Sequence, residues 1–332
     1  MRLDECDFDK IGAVSMAPFE RNTPEEEWVR ANSEGSVPSG LYDLYCHANF
    51  LSFGASPKFL SDGEKILFSY FSLVLRAVQE SLVDAHEEAA AFAGARELVY
   101  DPAKLRACEH WDKNADRRSR RHFRDLLMAL QTTLDSFSDV IAIFFPGCIK
   151  GLEVGRSQFS KIEAWVSGPD PTVSMIVTPS EFFLKRLYDA LKPAILAAPP
   201  ETDWVPMMRL LRNKSSHLGQ PLFRLVGLPR VGDGRFCAFV PRQWPFLWES
   251  LIQPASHPAN TKPLPELLKD TLVHQDIVTY SAGLLAKVKL VVSAASAVLN
   301  EAYEQFKDLP LHQSALDQLK GNFEKHRFEN FV

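Results

Sequence analysis

Cysteine is scarce in this 332-residue chain, which has five copies that are widely spaced and form no C-x-x-C pair. An odd number of scattered cysteines argues against a disulfide framework and against a zinc site built on thiolates. The first ten residues, MRLDECDFDK, are acidic where a signal peptide would be basic and then apolar. We therefore expect reduced thiols and a cytoplasmic location.

Long hydrophobic runs and a strong excess of one charge are also lacking. The most apolar stretch, residues 284–299, is interrupted by Lys287 and Lys289 and is shorter than the roughly 20 residues of a spanning helix, so we expect no membrane partner. The 37 Lys and Arg are balanced by 42 Asp and Glu, for a net charge of −5. Any contact with nucleic acid must then come from a local basic patch.

Several sequence motifs of common enzyme classes are missing. The chain has no Walker A loop, no H-E-x-x-H pair and no G-x-S-x-G nucleophile elbow. Cys108 and His110 are close in sequence but have no second ligand pair at metal spacing. The sequence therefore predicts no metal and no cofactor.

Helical periodicity dominates what is present. Apolar residues recur at intervals of three and four over residues 62–98 and again over 115–145, which predicts two long helices that pair antiparallel. Further helices are predicted from their caps, periodicity and breakers at about 181–197, 204–216, 264–306 (with a break near 280–283) and 314–325.

Two regions depart from this helical pattern. Residues 1–60 contain many prolines and glycines between aromatic islands, which predicts an irregular arm that packs on the body and has one short helix near 25–31. Strand-like runs flank a glycine-rich turn at about 222–241 and predict an inserted β-hairpin. The fold class is thus mainly α, with an arm over 1–60 and one helical domain over 61–332.

A basic segment begins the second long helix. Five arginines lie within eight residues: Arg117, Arg118, Arg120, Arg121 and Arg124. Guanidinium groups match phosphate oxygens, so this segment could bind RNA. A solvated helix face, partly neutralised by the nearby Asp112, Asp116 and Asp125, explains it equally well.

The most informative chemistry lies in one short segment, Arg212-Asn213-Lys214-Ser-Ser-His217-Leu-Gly219. It resembles the Arg-polar-x-x-x-His signature of the HEPN superfamily, helical proteins that include many metal-independent ribonucleases of bacterial defence and toxin systems. Arg117 and His122 form a second match to the arginine-to-histidine spacing, but Arg118 takes the place of the polar residue.

The resemblance implies a helical bundle that acts as a metal-independent endoribonuclease on RNA. It also implies a homodimer with Arg212, Asn213 and His217 near the subunit seam, and a toxin or phage-defence role with an antitoxin or regulatory partner. His217 would take the proton of a ribose 2′-hydroxyl, since imidazole titrates near neutral pH. Arg212 would stabilise negative charge on the phosphoryl oxygens, and Asn213 would hold the imidazole in position. Lys214 would either attract the RNA backbone or be a surface lysine without a role in binding.

The geometry of an α-helix determines where the three motif residues lie relative to one another. On a helix Asn213 and His217 lie four residues apart, about 40° from each other, so the amide can orient the imidazole. Arg212 lies about 140° from His217, so both reach one phosphate only if the arginine bends round, the helix ends near Ser215, or a second subunit completes the site.

Other interpretations of the same residues stay open. Arg212 could pair with a carboxylate, Asn213 could cap the helix, and His217 could sit near a helix C-terminus. The chain would then be a non-catalytic helical module that binds RNA, nucleotide or protein. A third possibility is a regulator that uses the five arginines on DNA.

Overall fold

The computed structural model describes residues 24–53, 60–99, 112–171, 178–196, 204–216, 226–229, 236–241 and 272–329. Its helices, in chain order, are α1 (Pro24–Ser33), α2 (Ser39–Phe53), α3 (Asp62–Glu97), α4 (Lys113–Phe144), α5 (Phe159–Val166), α6 (Pro179–Ile195), α7 (Trp204–Ser216), α8 (Ile277–Gln305) and α9 (Gln313–Glu329), with a short 3-10 turn at Leu309–Leu311. The mainly helical fold class is confirmed.

The long helices α3 and α4 form an antiparallel pair. Three contacts show this direction: Glu88 with His122, Tyr70 with Asp139, and the ring of Phe71 with that of Phe144. Residues late in α3 contact residues early in α4, and residues early in α3 contact residues late in α4. The apolar positions that predicted α4 are all buried: Phe123, Leu126, Leu127, Leu130, Leu134, Phe137, Ile141 and Phe144. Burial of this apolar stripe is what stabilises the pair.

The N-terminal region is more helical than the predicted arm. The short helix expected near 25–31 is present as α1, and α2 follows it where irregular structure was predicted. Their aromatics do pack inward, as expected: Trp28 is buried and its ring stacks on that of Tyr45 at 4.4 Å. The breakers in this region have helical roles. Pro24 is the first residue of α1, where its missing N–H costs nothing, and Gly40 lets α2 approach α8, where Asn300 donates to its carbonyl.

Three short strands are described: β1 (Val226–Pro229), β2 (Phe236–Pro241) and β3 (Leu272–Asp276). They form an antiparallel sheet in the order β1-β2-β3. Residues 230–235, the turn of the predicted hairpin, lie outside the described residues, so the inserted hairpin at 222–241 stays a prediction.

The region before and within α8 also differs from the sequence prediction. Residues 272–276 pair with β2 instead of continuing a helix from 264, because backbone pairing with a distant strand has no local sequence signal. The expected break near 280–283 is absent. Helix α8 runs through it, with Tyr280 and Leu284 buried on its packed side.

Three of the described helices, α3, α4 and α8, are long and apolar enough to cross a membrane by length and composition. The prediction that residues 284–299 are too short and too polar to span a membrane is therefore wrong, because the helix around them extends over Ile277–Gln305. Half to two thirds of each apolar window is buried inside the protein. The cytoplasmic location and the lack of a membrane partner stay predictions.

Candidate functional site

Helix α7, which carries the arginine motif, is fixed by both apolar and polar contacts. Its residues Trp204, Val205, Met208 and Leu211 are buried. The indole N–H of Trp204 donates to the carbonyl of Ile195 at the end of α6, at 3.0 Å. These contacts hold the helix against α4 and α6, so the direction of its C-terminal turn is set by packing.

An ion pair joins α7 to α5. Arg209 Nη2 lies 2.6 Å from a carboxylate oxygen of Glu163, whose side chain is 18% exposed. Helix α5 is held in turn by α4, because Asp135 accepts a hydrogen bond from the backbone N–H of Phe159 at 2.9 Å. The motif-bearing helix is thus connected to the long central pair through two carboxylates.

Arg212 and Asn213 are in direct contact at the end of α7. The Nε and Nη2 groups of Arg212 both donate to Oδ1 of Asn213, at 3.1 and 2.9 Å. Neighbouring residues on a helix point about 100° apart, so the long arginine side chain bends round to make this contact. Both side chains are half-buried, and neither is enclosed in the core.

This contact differs from the predicted role of Asn213. The sequence predicts that its amide orients His217, whereas the described structure has its amide oxygen accept from Arg212. Orientation of an imidazole would therefore use the amide N–H₂ of Asn213. His217 lies outside the described residues, as does the side chain of Lys214.

The basic segment lies on the exposed side of α4. At 100° per residue, its arginines fall within an arc of about 160°, and all of them are exposed: Arg117, Arg118, Arg120, Arg121 and Arg124. The sequence therefore located a true surface cluster, which we call the arginine face.

Carboxylates neutralise part of the arginine face. Arg120 pairs with Asp116 at 2.8 Å, while Arg121 and Arg124 lie 3.5 and 2.8 Å from Asp125. Exposed pairs of this kind are worth only about 0–1 kcal/mol and exchange readily for another anion. Within the part of the chain that the structure describes, Arg117 and Arg118 form no ion pair.

A buried cation lies behind the arginine face. The side chain of Arg96 on α3 is only 7% exposed, 3.8 Å from Asp116. Burial lowers the pKa of Arg96, against the raising effect of Asp116 and Asp276. Asp116 therefore serves both Arg96 and Arg120, which ties the end of α3 to the start of α4.

Sequence reasoning missed a histidine beside this face. His122 Nδ1 lies 2.7 Å from Oε2 of Glu88 on α3, with both side chains about 30% exposed. The two residues are 34 positions apart, so no local sequence pattern connects them. The signal that could have found the pair is the register of the two long helices.

Among the described residues, no group of three His, Cys, Asp or Glu could hold a metal ion. Cys46 and Cys148 are exposed free thiols.

Comparison with known proteins adds no relative. No family model, no curated protein and no solved structure matches the chain. The HEPN resemblance therefore depends on the motif residues alone.

Proposed function

We propose that the chain is a metal-independent endoribonuclease with a HEPN-like site made of Arg212, Asn213 and His217. The observation that carries the proposal is the paired Arg212 and Asn213 at the end of a firmly packed helix. A guanidinium held by a neighbouring amide is oriented before substrate arrives, and preorganised donors are what stabilise charge in a transition state.

The reaction needs only a base and an anion-binding group. His217 accepts the proton of a ribose 2′-hydroxyl, and the 2′-oxygen attacks the adjacent phosphorus. Arg212 stabilises the negative charge on the phosphoryl oxygens, an effect on the order of 3 kcal/mol for one such donor. The 5′-oxygen leaves and takes a proton, so the products are a 2′,3′-cyclic phosphate and a 5′-hydroxyl.

The finer fold and the partners belong to the same proposal. The body is a HEPN-like bundle with a hairpin at about 222–241, and two copies form a dimer in which the motif helices meet. Dimerisation would bring an arginine and an imidazole of the motif together, although residues five apart on one straight helix point about 140° away from each other. A cytoplasmic toxin or phage-defence enzyme with an antitoxin or regulatory partner fits this chemistry.

Binding of the substrate would use the arginine face together with Lys214. Neutralising a phosphate releases condensed counterions, so affinity should fall steeply as salt is raised. Exchange of Asp125 for a phosphate would free Arg121 and Arg124, which now share that carboxylate.

The test uses the purified full chain, a labelled RNA and EDTA. We expect cleavage with cyclic-phosphate ends, and a loss of at least about 100-fold in rate for His217→Ala, the usual range for a general base. His312→Ala is the matched control, because His312 is exposed at the far end of the 3-10 turn. Full activity in His217→Ala would overturn the assignment of the base.

The second candidate is a non-catalytic module that binds RNA, nucleotide or protein. It is favoured by one observation: two N–H groups of Arg212 are already occupied by Asn213, as in a side chain with a static role. RNA that stays bound and uncut by the wild-type protein in the same assay would select this candidate.

A further inference from the structure

The contact between His122 and Glu88 fixes which ring nitrogen is available. A carboxylate can only accept a hydrogen bond, so Nδ1 of His122 carries the hydrogen that faces Glu88 at 2.7 Å. In the neutral ring Nε2 then holds the lone pair. The His122 side chain is 28% exposed, so the ring is partly open to solvent.

Arginines of the arginine face adjoin this histidine. Arg118 lies four residues before His122, so their Cβ atoms are about 5–6 Å apart on one side of α4. Arg121 is the preceding residue and is 74% exposed. An oriented imidazole and the exposed guanidinium of Arg118 thus share one side of α4, while Arg121 lies about 100° round the helix and is paired with Asp125 at 3.5 Å.

From this juxtaposition we infer a second phosphodiester site, in which Arg118 and Arg121 bind an RNA phosphate and His122, oriented by Glu88, acts as the base. The inference takes its substrate class from the proposed function and shares two arginines of the arginine face with it, but uses none of its catalytic residues. The separation of four between Arg118 and His122 lets both groups reach one phosphate on a straight helix.

The step balances without a metal or another reactant. Nε2 of His122 accepts the proton of the 2′-hydroxyl, a bond forms between the 2′-oxygen and phosphorus, and the bond from phosphorus to the 5′-oxygen breaks. The leaving 5′-oxygen takes a proton from water. Arg118 and Arg121 neutralise the charge on the non-bridging oxygens, while Glu88 stabilises the imidazolium that forms.

The experiment measures cleavage of a 5′-labelled RNA oligonucleotide in EDTA by the full chain and its variants. His122→Ala and the other variants of this site are made in a His217→Ala chain, where cleavage by the Arg212 site is lost. There His122→Ala should lower the remaining rate at least about 100-fold, and His312→Ala should leave it unchanged. Arg118→Gln should raise KM, with Arg156→Gln as control, because Arg156 is an exposed arginine in the loop between α4 and α5. Arg118 is exposed too, so this pair remains informative if His122→Ala fails to fold.

The histidine variants separate this inference from the proposed function. No remaining cleavage in His217→Ala, or remaining cleavage that His122→Ala leaves unchanged, overturns the inference and leaves the proposed function standing. Full-rate cleavage by His217→Ala together with loss in His122→Ala supports the inference and overturns the Arg212 site. A wild-type protein that cuts no RNA overturns both.

Glu88 is a positioning residue, so its substitution should change kcat and leave KM unaltered. Glu88→Ala should lower kcat while KM stays unchanged, because the carboxylate acts on the base and not on the phosphate. Glu88→Gln should restore part of kcat, since its amide oxygen can still accept from Nδ1. A change in thermal stability of Glu88→Ala without any change in kcat would show that the contact is only structural and would overturn the role of Glu88.

Discussion

Asp139 on α4 holds together three parts of the chain. Its Oδ2 accepts from the hydroxyl of Tyr70 on α3 at 2.9 Å, and its Oδ1 accepts from the backbone N–H groups of Gly155 and Ser157 at 3.1 Å each. Burial, and then the adjacent carboxylate, raise the pKa of Tyr70. One side chain therefore fixes the loop between α4 and α5 as well as the helix pair.

Asp139→Ala should lower the free energy of unfolding by about 3 kcal/mol, because hydrogen bonds to a charged group are strong and three donors lose their acceptor. Tyr70→Phe removes one of them and should cost about 1 kcal/mol. Denaturant unfolding measures both. Asp43→Ala is the control, since Asp43 is exposed on α2; an equal loss in the control would contradict the role of Asp139.

Tyr303 on α8 gives the fold a pH dependence at high pH. Burial raises its pKa to about 12, and its ring stacks on that of His47. An unfolded chain loses this proton near pH 10, so the contribution to stability is complete below that pH. It is lost as the pH rises from 10 to 12, by on the order of 2–3 kcal/mol.

The measurement is unfolding free energy against pH for wild type and Tyr303→Phe. The variant should show a smaller fall in stability between pH 10 and 12, because it has no phenol to ionise. Identical slopes for the two proteins would mean that Tyr303 titrates as freely in the folded state as in the unfolded one.

At this scale the sequence predicted which residues matter better than how they meet. Arg212 and Asn213 were singled out by spacing, but their mutual hydrogen bonds follow from a side-chain bend that spacing does not encode. His122 was noticed only as a chance motif match. Its partner Glu88 lies on another helix, so only the packed structure joins them.

Among the elements, helices with a capping box were the most predictable. Ser61 and Glu64 cap α3 reciprocally, and Thr178 and Glu181 do the same for α6. Hydrogen bonding to the side chain of Ser61, and then to its backbone, lowers the pKa of Glu64, so that cap is present at neutral pH and weakens in acid. The S/T-x-x-E pattern predicts the start of a helix from the local sequence alone.

Thr178→Ala should lower the free energy of unfolding by about 1 kcal/mol, because the backbone N–H of Glu181 loses its acceptor. Thr132→Ala, at an exposed position inside α4, is the matched control and should change stability little or raise it slightly. Denaturant midpoints of the two variants decide the matter. A Thr178→Ala protein as stable as the control would contradict a stabilising cap.

Elements that depend on distant partners were predicted least well. Residues 272–276 form a strand only because β2 lies beside them. Helix α2 was hidden by the surrounding prolines and glycines, of which Gly40 allows a close contact with α8. A local sequence pattern predicts only the local preference for helix, strand or irregular structure. Tertiary packing overrides that preference in these two regions.

For the whole molecule, the N-terminal helices belong to the same core as α3 and α4. Trp28→Ala should cost about 3–5 kcal/mol, as for other buried large-to-small changes. Circular dichroism and tryptophan fluorescence should show one common transition for the variant. A separate early transition would mean that residues 24–53 unfold as an independent arm.

The proposed cleavage needs no metal ion, and the chemical ends of the cut RNA show whether that is so. Wild-type protein, stripped of metal and assayed in EDTA, should give 2′,3′-cyclic phosphate and 5′-hydroxyl ends. Arg212→Ala should give the same ends at a rate lower by at least about 100-fold. RNA left intact by the wild-type chain, or cleavage that appears only when a divalent ion is restored, would contradict the account.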